Sequence, residues 1–463
     1  MSLDVRPQKT AAEEALATMF AQARDGLPGN EALATARAAA FRRFESQGLP
    51  TWRREEWKYT DLRAAMPQAQ PLALRAGRLP SGAPGSPILP VDFGARRLVF
   101  SNGIFVPELS DLAELEPGLT IRPMGQALRE GDALVRAHLT THSVSAVPSY
   151  DPMQSSDAVQ SFVADPAVTL NAALMSDGIV IHVAAGKTVE RPIHLLMLSG
   201  EEAVSVFSRS LLVAESGARV MVLESHEGGA GHQVNTAFEM VVGDEAHVDH
   251  VKLNGGVGLH VASLLATIGG RVRFNTFVFT ACCALVRNQM FLRFDGKGTL
   301  ANIGGSSLLD GRQHVDNTLI ADHASPDCQS REVFKTVLDG ESRGVFQGKV
   351  IVRQKAQKTD ARMVTRALLL SDEAEADHKP ELEIFADDVQ CGHGATTGSL
   401  DEELKFYLMA RGIPKAEAEA LLVQSFVGEA IDGIEHAGLR DALMEAVADW
   451  LKTRGERVDA SRN

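Results

Sequence analysis

One apolar run of this 463-residue chain reads Phe238-Glu239-Met240-Val241-Val242-Gly243. Comparable runs precede three other glycines, and the four positions, separated by 26, 26 and 27 residues, are Gly217, Gly243, Gly269 and Gly296. Gly348 lies 52 residues beyond Gly296, a distance of two further periods. Further runs of β-type residues follow most of these glycines. The chain therefore carries a regular repeat in β-rich sequence.

A fixed period of this length predicts coils that stack along one axis, because a coil of two or three strands cannot bury its own apolar face. We therefore predict a β-helix over residues 160–398. A β-sandwich also contains short strands, but it does not require so regular a repeat. We expect Gly243 and Gly269 to lie in turns that need a positive φ angle, so that valine would destabilise the fold there.

Helical sequence flanks this repeat on both sides. Residues 11–24 and 31–47 have the spacing of two amphipathic helices. Residues 66–95 are rich in proline, which is typical of a linker or of an extended segment that wraps around the core. Helical spacing returns after Gly398, in three segments. The chain is thus expected to be mainly β, with three parts: an N-terminal helical region and linker (1–159), a β-helix core (160–398) and a C-terminal helical domain (399–463).

Composition narrows the class of protein. A hydrophobic fraction of 44% and a charged fraction of 23% are typical of globular proteins. The net charge of −14 argues against partners such as nucleic acids and anionic membranes. The N-terminus lacks the pattern of a signal peptide, and no apolar stretch is long enough for a membrane span. The cysteines are too unevenly spaced for a disulfide framework, which favours the cytoplasm, and they are Cys282, Cys283, Cys328 and Cys391.

The richest chemistry lies near the end of the predicted β-helix, between Lys379 and Thr396. Apolar and polar residues alternate there as in a strand, so Cys391 and His393 should project from one face. A thiol and an imidazole at this spacing can reach one metal ion, and Asp387 and Asp388 lie just upstream. Spacing alone is more typical of a buried cysteine and a hydrogen-bonded histidine, because a structural zinc site needs about four ligands.

Three weaker patterns have simpler interpretations. Gly186-Lys187-Thr188 lacks the upstream glycine of a phosphate-binding loop, so we interpret it as a turn and expect no ATP binding by this chain. One of the adjacent Cys282 and Cys283 is expected to fill the core. A polysaccharide-cleaving β-helix enzyme would need an exposed patch of carboxylates and basic groups, for which the candidates are Asp249, His250, Asp310, His314, Asp316, Asp322 and His323. We interpret these as outward-facing or turn residues, since such enzymes are usually exported.

Several longer motifs occur in a fixed order along the chain. They include Trp57-Lys58-Tyr59-Thr60-Asp61-Leu62, the stretch around Cys391 and His393, and the segments 346–352, 356–361, 368–371, 398–401 and 406–413. Together they resemble the SufD family of the SUF iron–sulfur cluster assembly scaffold, and the first motif separates SufD-like chains from the related SufB. The resemblance covers residues 50–430. It implies a right-handed parallel β-helix core, in agreement with the repeat.

The resemblance also implies a non-catalytic scaffold subunit. Such a subunit would pair with SufB through the β-helix edge, bind the SufC ATPase through its C-terminal helices, and share a transient iron–sulfur cluster with SufB. Cys391 and His393 are then the expected cluster ligands, with His393 the stronger candidate. Four scattered cysteines suit a chain that supplies only part of a cluster site. The alternative is a purely structural partner without ligands. The cluster type, a flavin in the complex and a homodimer without SufB stay open.

Overall fold

The computed structural model describes residues 9–79, 93–143, 165–229, 231–256, 258–281 and 283–462. Its centre is a parallel β-solenoid in which each coil gives one strand to each of two sheets. Sheet 1 contains β1 (Arg96–Ser101), β2 (Ile104–Phe105), β5 (Ile193–Leu198), β7 (Arg219–Glu227), β9 (His247–Gly255), β11 (Arg273–Ala281), β13 (Leu300–Leu309), β15 (Gln329–Leu338), β17 (Asp360–Leu369) and β19 (Gln390–Gly398). Sheet 2 contains β3 (Leu119–Pro123), β4 (Ile179–Val183), β6 (Ser205–Ala214), β8 (Gln233–Val242), β10 (Leu259–Ile268), β12 (Leu285–Phe294), β14 (His314–His323), β16 (Arg343–Val352) and β18 (Glu375–Ile384).

Helices lie at both ends of the chain. The described α-helices are α1 (Ala11–Ala23), α2 (Glu31–Gln47), α3 (Leu62–Ala65), α4 (Met124–Glu130), α5 (Ala133–Ser143), α6 (Pro166–Leu174), α7 (Glu402–Met409), α8 (Lys415–Ile431) and α9 (Ala437–Arg462). The predicted fold class, a mainly β chain with a parallel β-helix core and terminal helices, is confirmed. Among the described helices, none combines the length and apolar character needed to cross a membrane.

The main core fills the lumen between the two sheets. Parallel register places the side chains of successive coils directly above one another, so that Phe238, Leu264, Met290 and Leu319 form one buried column of sheet 2. A single coil would leave this column in water, and stacking removes it. The period of two along each strand therefore predicts the inward face correctly.

The repeat lengthens along the solenoid. Strands of sheet 2 begin 26 residues apart from β8 to β12, 29 apart from β12 to β16, and 32 apart from β16 to β18. Gly348 is therefore not a turn residue two periods after Gly296, as the spacing suggested. It lies within β16 in register with Leu319 of the lumen column. A Cβ on Gly348 would lie 2.4 Å from Met363 Sδ, so glycine leaves room for that side chain.

The glycines after β8, β10 and β12 are required for a reason other than the expected one. Gly243, Gly269 and Gly296 do not have positive φ angles, so that part of the prediction is wrong. A Cβ on Gly296 would lie 2.0 Å from the backbone nitrogen of Gly270, and a Cβ on Gly243 would lie 2.6 Å from that of Ser216. Turns of neighbouring coils thus approach so closely that a side chain at these positions would collide with backbone.

The N-terminal part of the chain closes one end of the solenoid. β1 continues sheet 1 beside β5, and β3 runs antiparallel to β4 at the end of sheet 2. α1, α2 and α6 lie on the outer face of sheet 2, where Leu16, Phe44 and Phe207 share a buried cluster. The helices expected at 11–24 and 31–47 are confirmed. The predicted boundary between residues 159 and 160 and part of the proline-rich linker lie outside the described residues.

The C-terminal helices α8 and α9 pack along the outer face of sheet 1. Val427, Leu443 and Trp450 from these helices share a buried cluster with Val251 and Phe279 from the sheet. Val251 of β9 and Phe279 of β11 therefore face outward as apolar residues, on strands whose opposite face lines the lumen. This packing joins the C-terminal helices firmly to the solenoid, because removing them would expose the apolar outer face of sheet 1.

Candidate functional site

The C-terminal end of the solenoid is open. β18 and β19 each pair with a strand on one side only, so within the described residues no strand covers their outer edges. Pro380 lies in β18, and proline is confined to edge strands because it cannot donate a ladder hydrogen bond. Phe385, in the turn between the two strands, has 58% of its surface exposed. This end therefore offers unpaired backbone and an apolar side chain to a partner.

Cys391 and His393 lie on β19 and face the lumen at this open end. They are in register with Ala361 and Met363 of β17, which are both buried in the lumen core. Cys391 packs against that core and is partly buried, whereas His393 is exposed. The structure thus brings the two side chains to one face, at the point where the lumen meets the exterior.

A buried carboxyl group lies beneath these residues. Glu332 of β15 is in register with Met363 of β17, and Met363 is in register with His393, so the three form a lumen column that ends at the opening. Burial raises the pKa of Glu332 to about 7, an effect that Ser330 and Arg331 offset only in part. Sequence reasoning missed this group, because its place beneath the site depends on the lengths of the intervening coils.

The thiol of Cys391 is protonated in the isolated chain at neutral pH. Burial raises its pKa, the backbone N–H of Ala361 lowers it in part, and Asp360 and Glu332 raise it further. Because a metal binds the thiolate, metal binding at Cys391 must release a proton. The raised pKa therefore lowers the fraction of Cys391 that is thiolate, the reactive form, in the free chain.

His378 faces the same opening from the other sheet. It lies on β18 in register with the buried Phe346 of β16, and its Nδ1 is 3.0 Å from Thr365 Oγ1. Burial lowers the pKa of His378, which keeps the imidazole neutral. The period of two shared with Leu382 could have identified this position. Within the described residues, no group of three metal-binding side chains converges at the opening, so a metal here would need ligands from elsewhere.

The nearby aspartates belong to a turn. The backbone carbonyl of Asp388 accepts a hydrogen bond of 2.6 Å from the N–H of Lys358, and the two side chains form an ion pair. Asp387 is exposed beside it. Of the remaining cysteines, Cys283 is buried in a small apolar cluster, as expected for one member of the adjacent pair, and Cys328 is buried in the lumen. Cys282 lies outside the described residues.

The residues considered for polysaccharide cleavage do not form an exposed patch. Asp316 and Asp322 are buried in ion pairs with Arg287 and Arg353, and His250 and His323 are buried in the lumen. Their interpretation as outward-facing or turn residues is wrong for His250 and His323, which face the lumen. Asp316 and Asp322 do lie on the outer face of sheet 2, but they are buried there, Asp316 by the N-terminal segment. The Gly186-Lys187-Thr188 stretch is a turn, as predicted, with Gly186 at a φ of 67°.

A polar section of the lumen lies far from the opening. His250 Nε2 is 2.9 Å from Glu224 Oε1, and its Nδ1 is 2.9 Å from Thr276 Oγ1. Burial lowers the pKa of the neighbouring Lys252 to about 8, although Glu224 partly opposes this. Pairing of opposite charges stabilises these groups inside the solenoid. The sequence signal was polar residues at inward positions, two apart, in β7 and β9.

Two family models match consecutive parts of the chain. Residues 10–195 match the N-terminal region of SufBD proteins, and residues 196–426 match the SufBD core domain of the SUF system for FeS cluster assembly. The chain belongs to the SufBD family.

Individual relatives of this SufBD protein agree with that assignment. The iron–sulfur cluster assembly protein SufD of Escherichia coli is 29% identical over 414 residues, which cover 87% of this chain and 90% of SufD. A SufBD family protein of Synechocystis is 29% identical over 463 residues, covering 96% of this chain and 97% of its own length. One from Mycobacterium leprae is 30% identical over 61% of this chain and 74% of its own length. The expected kinship with SufD is confirmed.

In this SufBD protein, the Trp57-Lys58-Tyr59-Thr60 motif fixes the N-terminal segment to sheet 2. The ring of Trp57 lies 4.0 Å from the guanidinium carbon of Arg287, and its Nε1 donates a hydrogen bond of 2.8 Å to Asp165. Thr60 donates one of 2.6 Å to Asp316. Trp57 is therefore buried and anchors this segment, whereas Trp52 is 60% exposed.

The helix α7 of the SufBD protein presents an uncovered apolar surface. Unlike α8 and α9, it contributes no buried residue to the described structure. Phe406 has 73% of its surface exposed, and Leu404, Tyr407 and Met409 are also exposed. Leu421 of α8 adds to this surface. An exposed apolar group of this kind marks a surface that a partner covers.

Proposed function

We propose that this chain is a non-catalytic scaffold subunit in iron–sulfur cluster assembly. It pairs with SufB through the open edge of β18 and β19, docks the SufC ATPase through its C-terminal helices, and shares a transient cluster with SufB at the joint interface. The cluster is cargo rather than a resident cofactor. A complex with free cysteines suits the reducing cytoplasm.

One observation carries the proposal: Cys391 and His393 lie on one face of an edge strand, at the mouth of the lumen, and that strand pairs with β17 on one side only. An edge strand recruits another strand through its free backbone groups. A partner strand added there would cover the mouth and bring its own ligands to the thiol and the imidazole. Fe–S clusters accept such mixed cysteine and histidine ligation.

Cys391 and His393 fit a cluster site shared with SufB better than a metal site formed by this chain alone. The described part of this chain brings no third ligand to the opening, and the Cys391 pKa is raised by burial, so the thiol does not bind metal readily when the subunit is alone. Ligands from SufB would complete the set. Separation of the two subunits would then expose the cluster for transfer.

His393→Ala should leave the complex with SufB and SufC assembled but lower its cluster content by about tenfold, in line with the loss of one metal ligand. Cys391→Ser should act in the same direction with a smaller effect. The measurement is iron and acid-labile sulfide per complex, after anaerobic co-expression with both partners and size-exclusion chromatography.

Thr396→Ala is the matched control, because Thr396 lies on the same strand but faces away from the lumen. It should keep both the complex and the cluster. Wild-type iron and sulfide in both the His393 and Cys391 variants would reject the site and leave the purely structural partner as the function of this chain.

The docking of SufC is proposed to use α7. α8 and α9 bury their apolar faces against sheet 1, which leaves α7 as the C-terminal helix with its apolar side chains free. The surrounding Asp401, Glu402 and Glu403 make the surface acidic at one end. Truncation of the chain at Gly398 would expose the outer face of sheet 1, so a point substitution tests docking more cleanly.

Phe406→Glu should weaken SufC binding by at least about tenfold, as expected when an apolar anchor is replaced by a charge. Binding of SufC to the purified chain is measured by isothermal titration calorimetry. Trp52→Glu is the control, because Trp52 is an exposed aromatic residue on a different part of the surface. Equal SufC affinity in the Phe406 variant and the wild type would place the docking surface elsewhere.

A further inference from the structure

Three metal-binding side chains converge where sheet 1 meets the C-terminal helices. His247 and Asp249 are two residues apart on β9, on the face opposite the lumen, and Glu435 lies in the loop between α8 and α9. One ligand atom of each lies within 4.8 Å of the others. His247 Nε2 is 3.3 Å from Asp249 Oδ2 and 3.7 Å from Glu435 Oε2. Within the described residues, this is the one such group.

In each carboxylate, the oxygen that does not face His247 accepts a hydrogen bond from a neighbouring side chain. Asn275 donates a hydrogen bond of 2.7 Å to Asp249 Oδ1, and Arg273 donates one of 2.7 Å to Glu435 Oε1. The remaining oxygens, Oδ2 and Oε2, are the ones that face the imidazole. Outer partners that fix ligand orientation in this way are typical of protein metal sites.

The imidazole makes no hydrogen bond of acceptable geometry here, although Asp249 Oδ2 lies 3.3 Å from its Nε2. His247 Nε2 is buried, and no group in the described structure makes a hydrogen bond to it with acceptable geometry. A buried polar atom without a hydrogen bond is costly, and a bound ion would remove that cost.

A cavity of about 210 Å³ adjoins two of the three side chains. Asp249 and Glu435 form part of its wall, together with Asn275, Arg331 and His436. A metal ion held by three protein ligands would thus have space beside it for water molecules, which complete the coordination shell of an open site.

We propose that His247, Asp249 and Glu435 bind one divalent first-row transition-metal ion. One imidazole and two carboxylates suit Zn²⁺, Fe²⁺, Mn²⁺ or Co²⁺ better than a soft ion such as Cu⁺. The bound ion would join the α8–α9 loop to the solenoid. The site is distinct from Cys391 and His393, because β9 is separated from β19 by five strand spacings, roughly 24 Å.

The test uses the full chain, without an affinity tag and with Cys391→Ser and His393→Ala introduced, so that the opening cannot bind metal. After treatment with a chelator, this protein is titrated anaerobically with Co²⁺, followed by visible absorption, and separately with Fe²⁺, followed by competition with a chromophoric chelator. We expect one equivalent to bind and to raise the melting temperature, because the ion binds only the folded chain.

Asp249→Asn keeps the shape of the side chain and should weaken Co²⁺ binding at least tenfold and abolish the rise in melting temperature. Glu245→Gln is the control, because it also removes one carboxylate, from an exposed ion pair with Arg271, and it should bind Co²⁺ as tightly as its parent. Absence of binding by the parent, or equal affinity in the Asp249 variant, would overturn the proposal and leave a contact between His247 and the two carboxylates that holds no metal ion. Either result is independent of cluster assembly, since every protein in this test lacks the Cys391 and His393 side chains.

Discussion

Asp316→Ala should lower the free energy of unfolding by about 3–5 kcal/mol, the typical cost of removing one partner from a buried ion pair. Asp316 and Arg287 have no exposed surface and form an ion pair. Arg287 also donates a hydrogen bond of 2.6 Å to the carbonyl of Glu56 and lies against Trp57. The substitution would therefore leave a buried cation and release the N-terminal segment from sheet 2.

Urea unfolding followed by circular dichroism measures this loss, and the fluorescence of Trp57 should report release of the segment. Adding Arg287→Met to Asp316→Ala should recover part of the stability, because it removes the uncompensated charge. Glu245→Ala breaks an exposed pair with Arg271 and should have a much smaller effect, because solvent screens exposed charges. A loss below about 1 kcal/mol in Asp316→Ala would show that the anchor contributes little to stability.

The contacts that join Trp57, Arg287 and Asp316 show a limit of prediction from the sequence. The motif at Trp57 could be recognised as a fixed loop, because large aromatic side chains are usually buried. Its partners Arg287 and Asp316 are more than 200 residues away. Asp316 was interpreted only as an outward-facing or turn residue, because charged residues are rarely buried without a partner. Only the three-dimensional packing shows that the partner of each charge is present.

The coil architecture was predictable because it depends on local patterns. Alternation along single strands predicts the lumen face, and the recurrence of turns predicts stacking. The length of each coil is harder to predict from the sequence. This explains the error at Gly348, which lies in β16 rather than in a turn. The sequence also does not show why position 296 requires glycine, because the atoms that a side chain would meet belong to the backbone of the preceding coil.

The candidate site likewise has one part that the sequence predicts and one part that it does not. Cys391 and His393 share a face because they are two apart on one strand, which the sequence alone predicts. Glu332 lies beneath them through two successive register relations, from β15 to β17 and from β17 to β19. An error of one residue in either coil would turn its side chain outward, so no single-sequence pattern identifies it.

Glu332→Gln should raise the free energy of unfolding at pH 8.5 by about 3 kcal/mol and have little effect at pH 4.5. The pKa of Glu332 is about 7 in the folded chain, against 4.5 for the ordinary group, and each pKa unit corresponds to about 1.4 kcal/mol. Below pH 4.5 the carboxyl is protonated in both states, so its pKa difference has no effect on stability. As the pH rises from 4.5 through 7, the unfolded chain loses the proton first, and the folded state is progressively destabilised.

Urea unfolding of both proteins at several pH values gives this difference directly. The buried His226 and His323, whose pKa values burial lowers to about 4 and about 3, make stability rise with pH in the acidic range. They are present in both proteins, so their effect cancels in the comparison. Glu341→Gln, at an exposed position, should give no pH-dependent difference of this size.

Glu332→Gln also tests whether the buried carboxyl group affects the Cys391 thiol at the opening. Glu332 is one of the groups that raise the pKa of the Cys391 thiol, so Glu332→Gln should make Cys391 react with an alkylating reagent faster at a given alkaline pH, because more of it is thiolate. If Cys391 reactivity stays constant and the stability difference does not vary with pH, Glu332 does not ionise as its burial implies. A faster reaction together with the pH-dependent gain would show that the interior of the solenoid controls the charge of the sulfur at its mouth.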